Sequence, residues 1–155
     1  MVIFFIGLFK KVFLADTFAS FADDPFMAVE NGYKISFVEA WLSMLCFTLQ
    51  IYFDFSGYTD MALGLAKIFG VTFPINFNSP YKSQSIIEFW SRWHITLSRF
   101  LKECVYIPMG GNRKGKYLSF LFILITMLVG GLWHGASWNF VCLLYTSDAA
   151  DEEDS

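Results

Sequence analysis

Charge is what this chain has least of. Asp, Glu, Lys and Arg make up 16% of its 155 residues, against about 25% in an ordinary soluble domain. Histidine is represented by two residues and proline by four. The three cysteines, Cys46, Cys104 and Cys142, show no CxxC and no Cys/His metal spacing. They read as buried thiols, with no metal site among them. Together these absences exclude a disordered chain, a basic nucleic-acid binder and a disulfide-stapled secreted module.

What is present points to lipid. Hydrophobic residues make up 55% and aromatics 20%, and the mean hydropathy is +0.48. Nineteen Phe, seven Tyr and five Trp carry more aromatic surface than a core of this size buries. The formal charge of −3 hides an asymmetry, because Asp148, Asp151, Glu152, Glu153 and Asp154 all fall in the last eight residues. Without them eleven basic residues face nine acids.

Along the chain, Met1 to Phe9 is apolar and is interrupted by Lys10-Lys11. That is too short to span a bilayer, and its charges lie on the wrong side for a signal peptide. It reads as the end of a membrane segment or as an interfacial helix. Residues 22–34, with Asp23, Asp24, Pro25, Asn31 and Gly32, read as an acidic loop. Ile35 to Phe53 is long enough for a membrane span of about 28 Å. Small residues follow at Ser56, Gly57, Ala62, Gly64 and Ala66, which lets helix backbones approach closely. Asp54 and Asp60 lie at that boundary and are either site residues or members of caps and salt bridges.

Ser85-Ile86-Ile87-Glu88 has the form of a capping box and announces a helix. From Ile86 to Val105, steps of 100° put Trp90, Trp93, His94 and Leu97 on an apolar arc. Arg92, Arg99 and Lys102 fall opposite. The pattern predicts one amphipathic helix lying on a membrane surface. After a Pro/Gly turn, Tyr117 to Leu144 holds no acidic or basic side chain except His134, and predicts a second span with a break at Gly130-Gly131. Six Lys and Arg from Arg92 to Lys116 put that region on the cytoplasmic side. Residues 145–155 are acidic and small, and are expected to be unstructured.

Both histidines sit where water is scarce. His134 leans over Gly131 and Gly130, one turn earlier on the same helix, so its imidazole overlooks a hollow. Desolvation keeps it neutral and able to accept a proton. The alternative is a polar residue joining two helices. His94, on the apolar arc, is either a packed, hydrogen-bonded residue or a second chemical group.

Five ordered segments carry a resemblance: Phe53 to Ala62 (FDFSGYTDMA), Asn76 to Tyr81 (NFNSPY), Phe89 to Ser98 (FWSRWHITLS), Tyr106 to Arg113 (YIPMGGNR) and Gly131 to Ala136 (GLWHGA). Together they resemble the membrane-bound O-acyltransferase family, within it the bacterial alginate O-acetyltransferase branch. The resemblance runs from about Met1 to Val141. It implies an all-α fold of polytopic membrane helices, with residues 1–144 the central part of a larger acyltransferase. It also implies a place in the bacterial cytoplasmic (inner) membrane. His134 matches the family's catalytic histidine and His94 its second recurrent one. Ser91 stands where an arginine is usual, and Phe122 where a polar residue is. The ending from Leu143 departs from the family pattern and is expected to be non-native.

The implied activity is transfer of an acetyl or other acyl group from a cytoplasmic thioester towards a hydroxyl of an extracytoplasmic polysaccharide such as alginate. His134 would act as general base, with acetyl-CoA or another acyl thioester as donor and no bound cofactor or metal. Backbone amides at Gly130 and Gly131, or the Asn139 side chain, would steady the oxyanion. The partners are then membrane lipid, the donor, and the polysaccharide or a relay acetyltransferase protein, with no nucleic acid. As a fragment the chain is expected to be inactive alone. Two non-enzymatic alternatives stand beside this: a haem-binding electron carrier using His94 and His134, and an accessory subunit that docks a carrier protein.

Overall fold

The computed structural model describes residues 1–134, the last two through the backbone. Residues 135–155, which include Asn139, Cys142 and the acidic tail, lie outside the described residues, and so do the expectations made for them. The regular structure of the described part is all helical, with irregular connections between the helices, and it divides into a unit from Met1 to Ile75 and another starting at Asn76.

The first unit is an antiparallel helical hairpin. Helix α1 (Val2–Phe9) continues through a π-helical stretch (Lys10–Ala15) into α2 (Asp16–Glu30) with helical backbone angles at both joins. The acidic loop expected at 22–34 is therefore helix as far as Glu30. Pro25 removes one backbone bond, but Ala22 is fully buried and Phe26 meets Phe47 edge-on at 5.6 Å. Packing outweighs the local breaker. The chain turns at Asn31 and Gly32, where Gly32 takes φ +83° and the Tyr33 N–H donates to the Ala28 carbonyl.

Helix α3 (Phe37–Ile68) begins at a complete capping box. The Glu39 N–H donates to Ser36 Oγ at 3.2 Å, and the Ser36 N–H donates to Glu39 Oε2 at 2.7 Å. Its 32 residues run about 48 Å, well past the Phe53 at which a span was expected to end. Among the described residues no helix is long and apolar enough to cross a membrane. For the span expected over 35–53 the reason is composition, since α3 carries Glu39, Gln50, Asp54 and Asp60 along its length; the span expected over 117–144 continues outside the described residues.

Burial in the hairpin is inverted relative to a water-soluble protein. Its buried residues are small: Gly7, Ala15, Ala22, Ser43, Ser56, Gly57, Thr59, Gly64 and Ala66. The large ones point outward, with Phe5, Phe13, Phe21, Trp41 and Leu45 all more than half exposed. Small residues inside and large apolar ones outside is how helices pack when water is not the solvent. The expected close approach is observed. An ideal Cβ on Gly57 would lie 2.8 Å from the Gly7 carbonyl oxygen, and one on Gly64 would lie 2.7 Å from the Phe4 nitrogen.

The second unit holds α4 (Ile86–Arg92), α5 (Ile95–Leu101), a π-helical stretch (Lys102–Tyr106), the short α6 (Ile107–Met109) and α7 (Lys116–His134). The single amphipathic helix expected over 86–105 is instead broken at Trp93-His94. Cys104 is exposed and Cys46 only partly covered, so neither is the buried thiol that its surroundings predicted. Helix α7 runs unbroken through Gly130-Gly131 to His134.

Candidate functional site

Ser85 caps α4 as predicted, accepting from the Glu88 N–H at 3.2 Å. The returning arm of the box is displaced by one residue, because Glu88 Oε2 accepts from the Gln84 N–H at 2.8 Å. Arg92 pairs with the other carboxylate oxygen at 2.6 Å. The Gln84 N–H first, and Arg92 after it, hold the Glu88 carboxyl below its ordinary value. A depressed folded value means that Glu88 supports α4 above the ordinary carboxylate range, and that this support is lost as pH falls through the depressed value. Gln84→Pro deletes the N–H, and Ser83 already has the extended backbone a following proline needs. It is expected to raise the Glu88 titration midpoint in a carboxylate NMR titration more than Arg92→Gln does. The reverse order would show the ion pair to be the main cause.

At the end of α4 the chain changes direction. Trp93 is extended, His94 takes φ 44° and ψ 53°, and α5 starts at Ile95. His94 is partly buried rather than turned to an apolar helix face. Residues 76–78 lie against this break. The Asn78 N–H donates to the Arg92 carbonyl at 3.0 Å, and the Ile95 N–H donates to the Asn76 carbonyl at 3.1 Å. The Thr96 N–H and hydroxyl both donate to Asn76 Oδ1, at 3.2 and 2.5 Å. Trp93 is fixed by aromatic rings, edge-on to Phe77 at 5.0 Å and stacked on Phe89 at 5.6 Å. Two of the five sequence segments, 76–81 and 89–98, thus form one structure around His94.

The other segments are placed as follows. Tyr106 donates its hydroxyl hydrogen to Asn112 Oδ1, and Gly110 and Gly111 take φ +128° and +52°, which favours glycine. Ser119 Oγ donates to the Gly111 carbonyl at 3.1 Å, tying that turn to the start of α7. Further along α7, an ideal Cβ on Gly130 would lie 3.1 Å from Leu101 Cδ1. The hollow expected over Gly130 is therefore lined by a leucine methyl group. Since α7 does not break, the freed amides expected at Gly130 and Gly131 are not provided. His134 ends the described helix, 18 residues after Lys116, or about 27 Å along the axis. At the departing position Phe122, Lys114 Nζ lies over the ring, 5.7 Å from its centre.

Asp54 and Asp60 resolve to salt bridges. Lys10 Nζ meets Asp60 Oδ2 at 2.7 Å, with both side chains about one-quarter exposed, and Lys11 pairs with Asp54 nearer the surface. Asp60→Asn is expected to destabilise the hairpin by about 1.5–3 kcal/mol, the range for a hydrogen bond to a charged group. Asp54→Asn, at a more exposed pair, is expected to cost roughly 0–1 kcal/mol. Thermal midpoints of the full-length protein in detergent check this, and equal shifts would contradict the burial argument. Among the described residues no cluster of three or more His, Cys, Asp or Glu is placed to hold a metal ion.

A shallow groove of about 560 Å³ runs beside the break, lined among others by Trp90, Ile95, Arg99, Lys102, Glu103 and Ile107. Its two cations outnumber the single Glu103 carboxylate beside an apolar floor, which suits an anionic ligand with an apolar part.

Helices with small residues between them, large apolar residues outside and a histidine at a helix break define a piece of a helical membrane protein. The chain belongs to the membrane-bound O-acyltransferase family, whose pattern matches residues 1–146. It is 53% identical over 139 residues to a peptidoglycan O-acetyltransferase of Helicobacter pylori, a match covering 90% of this chain and 26% of that protein. It is 51% identical over 138 residues to a probable alginate O-acetylase of Pseudomonas putida, covering 89% and 28%. A teichoic acid D-alanyltransferase of Streptococcus thermophilus is 32% identical over 144 residues, covering 88% and 35%. The chain thus spans about a quarter of the length of the first two relatives.

Proposed function

We propose that the full-length protein is an O-acetyltransferase of the bacterial cytoplasmic membrane. It takes an acetyl group from a cytoplasmic thioester such as acetyl-CoA and passes it to a hydroxyl of an extracytoplasmic polysaccharide, directly or through a relay acetyltransferase. The observation that carries this reading is the family match over residues 1–146, which contains both histidines. Relatives named for peptidoglycan and for alginate stand at nearly equal identity, which supports a hydroxyl-bearing polysaccharide as the acceptor class.

In this reaction the neutral imidazole of His134 accepts the proton of the attacking hydroxyl as its oxygen bonds to the thioester carbonyl carbon. The tetrahedral intermediate collapses by breaking the carbon–sulfur bond, and the departing thiolate takes the proton. His94 serves the donor side, beside the groove whose Arg99 and Lys102 suit the anionic part of a thioester carrier. The purified full-length protein, given radiolabelled acetyl thioester with alginate or peptidoglycan fragments, is expected to form an alkali-labile ester on one of them. Folded protein that labels neither, and that shows a Soret band, would replace this reading with an electron carrier.

A further inference from the structure

The break at His94 contradicts the pattern of its own segment. From Ile86 to Val105 there is neither glycine nor proline, and the apolar and polar residues sort onto opposite arcs of one helix. Left to itself this segment continues through residue 94. A histidine at φ 44° is also uncommon, because the left-handed region crowds a Cβ. Something outside the segment holds it broken.

The hydrogen bonds identify what that is. In an unbroken helix the Thr96 N–H would donate to the Arg92 carbonyl, four residues earlier. Here that bond is absent and both of its ends are satisfied from one short segment. The Thr96 N–H goes to Asn76 Oδ1, and the Arg92 carbonyl receives the Asn78 N–H. The Ile95 N–H, which would otherwise reach back to Ser91, goes to the Asn76 carbonyl. The side chain of His94 does not cap α5, so Asn76 supplies the cap from 20 residues away.

We propose that Asn76 is the positioning residue of His94, holding it in the left-handed conformation by replacing the helix bonds that would otherwise run past it. The proposal rests on the reading that His94 takes part in acyl transfer. Without the Oδ1 acceptor, the Thr96 N–H returns to the Arg92 carbonyl, residues 86–105 become one helix and the imidazole leaves its place. Asn76→Asp keeps the acceptor and so keeps the break.

The test uses the full-length enzyme in lipid nanodiscs, with structures and kinetics of matched variants. Asn76→Ala is expected to show a continuous helix through residue 94 and to lose about 10²-fold in kcat, with KM for the acetyl thioester changed much less. Asn76→Asp is expected to restore both the break and the rate. In a His94→Ala background, Asn76→Ala is expected to cost nothing further, because its effect acts through His94. A break that persists in Asn76→Ala overturns the proposal, and so does a loss that adds in full to that of His94→Ala. If His94→Ala turns over at the wild-type rate, the functional reading of His94 fails and the positioning role with it. The Asn76→Ala structure still reports on the clamp separately. Should Asn76→Ala not fold, Asn76→Leu keeps about the same side-chain volume without the acceptor, and a break and rate that both persist in that variant overturn the proposal.

Discussion

His134→Ala in the full-length protein is expected to abolish acetyl transfer while the protein still inserts and accumulates. Alanine leaves an uncharged helix, so membrane insertion is expected to be kept. Attack by a neutral hydroxyl, however, loses its proton acceptor, and removing a general base costs about 10²–10⁴ in rate. His134→Gln separates catalysis from structure, because glutamine hydrogen-bonds but does not take up a proton. A histidine that only joins two helices is rescued in part by Gln, and a catalytic base is not. Steady-state rates at matched protein levels check this. Near-normal turnover in His134→Gln would move the proton acceptor elsewhere.

Gly57→Leu is expected to prevent the first hairpin from closing. Even a single Cβ at this position meets backbone atoms, the Gly7 carbonyl oxygen at 2.8 Å and the Lys11 nitrogen at 3.0 Å, and these do not rotate away as a side chain does. Overpacking by a methyl group typically costs about 1–3 kcal/mol, so Gly57→Ala is expected to fold with a lowered thermal midpoint. The leucine must push α1 off α3, which also separates Lys10 from Asp60 and Lys11 from Asp54. The expected result is loss of monodisperse full-length protein on size-exclusion chromatography. Leu45→Ala, at an outward position, is the matched control and is expected to have little effect on folding. A wild-type yield and midpoint for Gly57→Leu would show that the two helices do not depend on this contact.

These two positions differ in how far the sequence alone revealed them. Gly57 and Gly64 were legible as close-approach residues because glycine in an apolar helix has few other uses. The helix start at Ser85 was legible for a similarly local reason, the S-x-x-E spacing. The same spacing at Ser36-Phe37-Val38-Glu39 marks the start of α3 and was available to sequence reasoning, which passed over it. What stayed hidden was non-local. Asp23-Asp24-Pro25 reads as a loop until α3 packs against it. Lys10 and Lys11 are identified as the partners of Asp60 and Asp54 only by a fold that brings together residues 50 and 43 positions apart. The break at His94 opposes every local signal in its segment, because its cause is Asn76. His134 is singled out by the scarcity of charge around it and by the family resemblance, and its side chain and surroundings lie outside the described part.

We propose that this chain is the histidine-bearing part of an enzyme that carries an acetyl group from a thioester on one side of a membrane to a hydroxyl on the other. Its most direct test reconstitutes the full-length protein into sealed vesicles with polysaccharide trapped inside and radiolabelled acetyl thioester supplied only outside. The account predicts alkali-labile label on the trapped polymer, present with the wild-type protein and lost with His134→Ala. Label that stays on the outer side, or no ester at all from folded and correctly oriented protein, would contradict it.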